Sequence, residues 1–429
     1  MAKKGMEARA AAAALLHGVL FDKRMISQLL DNEKGPLAGL TGPEKARAQS
    51  LAANVLRYLG RVDAVIDQYV EKSTPLKARN ALRIATVEML VDGIAPHAAV
   101  DGAVEIVQRS QKTARMGGLI NAVSRKIAAD GREIWESLSP QPLPGWLAKP
   151  VAKNFGREIV ADIEKAHEAG APLDLTLKSP QNLQTLATSL DAAVLPNGSL
   201  RLYKPAQITT LQGYESGDWW VQDAAASVPV RLLGDLDGQR VLDLCAAPGG
   251  KTMQLAAAGA EVTALDISLN RMARTGENLR RTGLQAGTVI ADATAWDTDQ
   301  QYDAIVLDAP CSATGTIRRH PDLTIVKAGA DLSELFALQE GLIDKAVAWL
   351  RPGGKLVYCT CSLLPREGER QTTYALARHG NLEIVPPDLS AMGLDPDWID
   401  DQGGLRLRPD YWPELGGMDG FYMAVLQKL

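Results

Sequence analysis

The chain has 429 residues, 46% of them hydrophobic, and a formal charge of −5 from 46 Lys/Arg and 51 Asp/Glu. That length suits two or three domains with packed cores. No apolar run is long enough to span a membrane, and the cysteines Cys245, Cys311, Cys359 and Cys361 are too few for a disulfide framework.

The start, MAKKGMEARAAAAALLHGVL, has the basic head and Ala/Leu stretch of a signal peptide. Leu15, Leu16, Val19 and Leu20 nevertheless form a helical stripe, and no cleavage site precedes the next polar segment, so a cytoplasmic protein is expected. Residues 1–137 carry 20 Lys/Arg and 15 Asp/Glu, a balance of +5, and the remainder carries 26 and 36, a balance of −10. A basic front suits recruitment of RNA, and an ordinary solvated surface accounts for it equally well.

Residues 1–137 read as all-helical. Thr41, Pro43 and Glu44 predict a capped start to a helix through Leu59, with Leu51, Val55 and Leu59 on one stripe. Similar stripes follow over Arg61–Val70, Leu82–Val91, Ala98–Gln108 and Leu119–Ile127, which together predict a compact bundle. Residues 138–146, LSPQPLPGW, read as a linker. Residues 147–217 read as a small α+β connector, with a helix to Ala169, a strand over Leu173–Leu177, a helix over Gln181–Leu190 and further short strands.

Residues 218–429 alternate between strands and helices. The expected strands are Arg240–Leu244, Glu261–Leu265, Gly287–Ile290, Ala304–Leu307 and Lys355–Cys359, the rhythm of a doubly wound parallel α/β sheet. LRLRPD (405–410) and GFYMAVLQK (420–428) predict an antiparallel closing pair.

The organising stretch is VLDLCAAPGGKT (241–252). Strand, glycine turn and helix bring backbone N–H groups up to a nucleotide-like ligand. A phosphate-binding P-loop would also end in Gly-Lys-Thr, but it needs a glycine where this chain has Cys245. In such a sheet the ligand lies at the carboxyl ends of the strands, and polar residues stand there: Asp266, Asp292, Asp308 and the CTCS of 359–362. An Asp at one strand end can be a mere helix cap; the set, in register with the glycine turn, points to a site.

The helical front, through ALRIATVEML (81–90), AAVDGAVEIVQRS (98–110) and GGLINAVSRKI (117–127), resembles the NusB family of RNA-binding factors. VLDLCAAPGGKT, ALDIS, DAPCSATG with its RRHPD tail, and YCTCS resemble the RNA cytosine-C5 methyltransferases, and the whole architecture resembles their RsmB (Sun/Fmu) branch. The resemblance implies an all-α NusB-like bundle, an α+β connector and a Rossmann-like class I methyltransferase domain. It implies methyl transfer from S-adenosylmethionine to C5 of a cytosine in 16S ribosomal RNA, free or in an early small-subunit intermediate, by a monomer. No metal and no membrane are expected.

Carried over motif by motif, Cys245, Ala246, Ala247, Pro248, Gly249, Gly250, Lys251, Asp266, Asp292 and Asp308 would line the cofactor site. Cys361 would be the nucleophile and Cys311 the second cysteine, with Asp308 assisting the ring. Position alone does not choose between the two thiols. Arg318, Arg319 and Lys251 would meet RNA, although Arg318 and Arg319 also read as solvated loop charge. Cys359 departs from the pattern, and its place inside a strand suggests an inert buried thiol. The same chemistry on transfer RNA, a non-catalytic RNA binder and a P-loop NTPase are the alternatives.

Overall fold

The computed structural model describes residues 5–32, 34–203 and 207–429. Its contacts form two units. One comprises the chain up to Ala148 with Val160–Ala169 and Ile317–Gly329; the other comprises Lys149–Ile159, Gly170–Thr316 and Ala330–Leu429. Among the described residues no helix is long and apolar enough to cross a membrane.

The first unit is built from helices Met6–Leu20, Ile26–Leu30, Gly42–Arg57, Leu59–Asp67, Leu76–Leu90, Pro96–Gln108 and Gly117–Ser137. Glu44 caps the third by accepting from Thr41 N at 3.0 Å, as the sequence suggested. Leu76–Leu90 is central: every residue from Asn80 to Leu90 is buried, as befits a helix surrounded by others. It begins ahead of the expected Leu82 because its first turn carries the polar Lys77 and Arg79, which a hydrophobic stripe does not register. Gly117–Ser137 outruns the expected Ile127 because Gly131 and Trp135 extend its buried face.

Residues 138–146 do not hang free. Leu143 N donates to Glu164 Oε1 at 2.7 Å and Gln141 N to Glu168 Oε2 at 3.2 Å, inside the helical unit. The single helix expected up to Ala169 is two, Gly145–Phe155 and Arg157–Ala169. They break at Gly156, whose φ of 96° no right-handed helix accommodates.

The second unit opens with a small antiparallel sheet of β1 (Leu173–Leu177), β2 (Ala193–Val194), β3 (Leu200–Leu202) and β4 (Trp219–Val221), in the order β2-β3-β1-β4. Because β4 pairs with β1, this sheet runs past residue 217. A wholly buried pair, Arg201 and Asp174 at 2.6 Å, joins β3 to β1. The main sheet contains β5 (Arg240–Leu244), β6 (Glu261–Asp266), β7 (Gly287–Ile290), β8 (Tyr302–Asp308), β9 (Leu350–Thr360), β10 (Leu382–Ile384), β11 (Leu405–Leu407) and β12 (Phe421–Lys428).

Its order is β10-β12-β9-β8-β5-β6-β7, with β11 against β12. Strands β5 to β9 are parallel neighbours, and β12 is antiparallel to β9. Alternation buries both faces. Leu242, Leu244, Ile305 and Leu307 pack with Ile343 and Val347 of helix Ser333–Trp349, while Val241, Ala304 and Val306 pack with Leu255 of helix Gly250–Ala257. The chain leaves β5 toward β6 and β7, then returns to β8 on its other side. Ligands bind at such a switch point, outside the strand ends.

Candidate active site

The loop after β5 is shaped by backbone conformation. Cys245 has φ 61° and Gly249 φ 99°; a Cβ added to Gly249 would lie 2.7 Å from Thr275 Cγ2, so glycine alone fits. Asp266, buried at the end of β6, holds the loop by accepting from Ala247 N at 3.1 Å and from Ser268 N at 2.9 Å. The Arg271 guanidinium donates to the Ala247 carbonyl and stands 3.7 Å from Asp266. Asp292 is exposed past β7, and the Thr294 hydroxyl and amide hold its carboxyl below the usual range.

At the switch point Lys251 Nζ is 2.7 Å from Asp308 Oδ2, with the Phe421 ring 5.4 Å away. Burial opposes the Lys251 charge, but Asp308, with help from Asp243, raises its proton affinity above the ordinary lysine value. Asp243, inside β5, is wholly buried; Thr252 Oγ1 donates to its Oδ2 at 2.6 Å and its Oδ1 has no partner. Burial, reinforced by Asp308 and Asp266 and opposed by Thr252 and Lys251, pushes it up to about 7. Burial, and then Asp308, pushes the Cys245 thiol up to about 12.

The two family-type cysteines come together. Cys311 and Cys361 follow β8 and β9, which are hydrogen-bonded neighbours, and their sulfurs are 3.4 Å apart. Ala309 N donates to Cys359 O at 2.9 Å, and Gly315 N to Cys361 O at 2.9 Å. Gly315 in turn lies against Gly420, where an added Cβ would meet the Gly420 carbonyl at 1.9 Å.

The hydrogen bond to Cys361, then burial, then the charges of Cys361 and Glu367 hold the Cys311 thiol well above its ordinary value. Cys359 is fully buried in β9, its sulfur 3.7 Å from Asp308 Oδ1; burial first, and Asp308 next, keep its thiol high.

Two expected RNA contacts are placed elsewhere. Arg318 is 0% exposed, because Ile317–Gly329 folds into the helical unit, where Arg57 Nη1 donates to the Arg318 carbonyl at 2.7 Å. A guanidinium so enclosed does not meet a phosphate. Lys251 is buried and paired with Asp308 at 2.7 Å, so its ammonium is not presented at the surface. Arg319 is half-buried.

Sequence reading missed the reach of Asp243 and Glu367. Asp243 had a signal, a carboxylate inside an otherwise apolar strand. Glu367 had a weaker one: hydroxyl residues follow both cysteines and need an acceptor.

A doubly wound sheet with a glycine loop at its switch point defines a Rossmann-like domain built to bind a nucleotide-like ligand, here in one chain with an all-helical bundle. The model of the 16S rRNA methyltransferase RsmB/F family matches residues 230–427, and that of the NusB family matches residues 6–129. The chain is 33% identical over 453 residues to the ribosomal RNA small subunit methyltransferase B of Erwinia tasmaniensis, covering 99% of this chain and 100% of that one. It is 34% identical over 446 residues to the protein of the same name from Vibrio vulnificus, again covering 99% and 100%. The crystal structure of PH0851 shares the fold over 100% of both chains, with a TM-score of 0.76 at 22% identity. The chain belongs to the RsmB family of 16S rRNA methyltransferases.

Proposed function

We propose that this chain methylates C5 of a cytosine in 16S rRNA through a covalent bond between Cys361 and C6, with S-adenosylmethionine as methyl donor. The observation that carries the reading is the pair of sulfurs 3.4 Å apart, at strand ends adjoining the Lys251–Asp308 pair. We read it as a monomer acting in the cytoplasm, on rRNA free or in an early assembly intermediate.

The residues fit the donor. Gly249 leaves the loop open to close backbone approach, Asp266 keeps lone pairs beyond its two amide bonds for ribose hydroxyls, and Asp243 Oδ1 is a buried oxygen with no protein partner. Cys245–Lys251, Asp266, Asp292 and Asp308 would hold it. S-adenosylmethionine supplies an electrophilic methyl when bound.

The chain's own groups do the rest. Cytosine C5 is too electron-poor to be methylated directly. Addition of the Cys361 thiolate at C6 makes C5 nucleophilic, and cysteine can later leave again. Lys251 donates to Asp308 Oδ2, and Oδ1, which lies 3.7 Å from the Cys359 sulfur, keeps a lone pair to accept from the ring at N3/N4. Cys311 begins as a thiol facing Cys361. Once the Cys361 sulfur is bonded to C6, the leading cause that holds Cys311 up is gone. Cys311 then gives up its own proton to solvent and, as the thiolate, accepts the C5 proton; the C5–C6 double bond re-forms and the C6–S bond breaks, its electron pair leaving with Cys361.

Bisulfite sequencing of 16S rRNA from cells with and without the protein tests the substrate. One cytosine should lose its protection in the deletion strain. Loss at a transfer RNA position with 16S rRNA unchanged would replace the substrate.

A further inference from the structure

Beside the cysteine pair lies a buried carboxylate that takes no part in the chemistry above. Glu367 is 0% exposed, six residues past Cys361. Its Oε1 accepts from Ser312 N at 2.8 Å and from Gln339 Nε2 at 3.1 Å; its Oε2 accepts from the hydroxyls of Ser312 and Ser362. Ser312 follows Cys311 directly and Ser362 follows Cys361. The Glu367 carbonyl is tied to β9, accepting from Tyr358 OH at 2.6 Å and Thr360 Oγ1 at 3.3 Å.

We propose that Glu367 is the positioning residue of the thiol pair, clamping the loops after β8 and β9 so that the sulfurs of Cys311 and Cys361 face each other. The inference rests on the reading of these cysteines as the reacting pair. A carboxylate suits the place because its oxygens accept, and Ser312 N, Gln339 Nε2 and both serine hydroxyls donate to them. It acts at one remove, through the serines, and also through its field. Its charge is one of the causes that keep Cys311 in the thiol form, after the Cys361 bond and burial.

The test compares Glu367→Gln and Glu367→Ala in the full chain. Glutamine can keep Oε1 for Ser312 N and Gln339, and its amide can donate to both serine hydroxyls, which reverse their roles. The clamp survives and the charge goes. The first readout is the pH dependence of iodoacetamide alkylation at Cys311 and Cys361, followed by mass spectrometry without RNA or methyl donor. The second is single-turnover methyl transfer.

In Glu367→Gln the Cys311 alkylation midpoint should move to lower pH while methyl transfer stays within about tenfold of the wild type. In Glu367→Ala methyl transfer should fall about 100-fold, the usual result of a small misplacement of reacting groups. Wild-type transfer in a folded Glu367→Ala overturns the clamp, and an unmoved Cys311 midpoint in Glu367→Gln overturns its action through the field. If Glu367→Ala does not fold, Glu367→Asp, whose carboxylate is one methylene short of the two serines, takes its place in the transfer assay, with a fall in the same direction expected and wild-type transfer overturning the clamp. Failure of the wild type to form any Cys361 adduct with RNA sinks the functional reading instead and leaves the alkylation result standing.

Discussion

In the helical unit Glu88 is wholly buried with Arg9 and Arg47 each 2.8 Å away, and Asp63 sits between Arg79 and Arg83 at 2.9 and 2.7 Å. In the sheet unit Asp243 is as deeply buried as Glu88, yet one of its oxygens has no partner, and the paired charges of Lys251 and Asp308 act on it. The first arrangement neutralises charge and specifies a bundle. The second leaves a buried carboxyl oxygen unpaired and a titration shifted by burial, features that concentrate at functional sites. His167 is the helical unit's nearest counterpart: burial, then Arg318 and Arg57, push it down to about 3, so it stands as a neutral imidazole.

Removing charge should therefore damage stability in one unit and ligand binding in the other. The largest effect is expected for Glu88→Ala, which strands Arg9 in the core. Breaking a buried pair costs about 3–5 kcal/mol, read by chemical denaturation, while S-adenosylmethionine affinity should not change. A loss below ~1 kcal/mol would show that the pair is dispensable.

Asp266→Ala should do the reverse. Calorimetry should show S-adenosylmethionine binding weakened by about 1.5–3 kcal/mol, the range for hydrogen bonds to a charged group. Unchanged affinity would remove Asp266 from the site.

A smaller effect should appear as a pH slope. Between 3.8, the ordinary carboxylate value, and about 7, folded Asp243 keeps a proton that the unfolded chain has released. Its contribution to stability falls as pH rises through that window and is level above it. Asp243→Asn should flatten this part of the wild-type profile in denaturation measured from pH 4 to 8. Parallel profiles for the two proteins would place the titration elsewhere.

The same contrast explains what could be read in advance. Strands β5 to β9 were legible because apolar runs end at polar residues, and β7 matched the expected Gly287–Ile290. The meeting of Cys311 and Cys361 followed from placing each at a neighbouring strand end. The break at Gly156 was hidden because flanking helical periodicity masks one glycine. The burial of Arg318 was hidden for a different reason: it depends on Ile317–Gly329 folding into a unit whose other segments are far away in sequence. Glu367 read as one more charge in a polar turn, because only tertiary structure gathers its donors from Gln339 and both cysteine loops.

The two thiols divide the proposed chemistry between them, Cys361 attacking C6 and Cys311 releasing the product. The most direct measurement of that division is a denaturing gel of Cys361→Ala and Cys311→Ala, each incubated with 16S rRNA and S-adenosylmethionine. Cys361→Ala lacks the group that bonds to C6 and should give neither methylated RNA nor a covalent complex. Cys311→Ala should attack and methylate but release slowly, so a protein–RNA band should accumulate. A stable band from Cys361→Ala, with none from Cys311→Ala, would exchange the two roles.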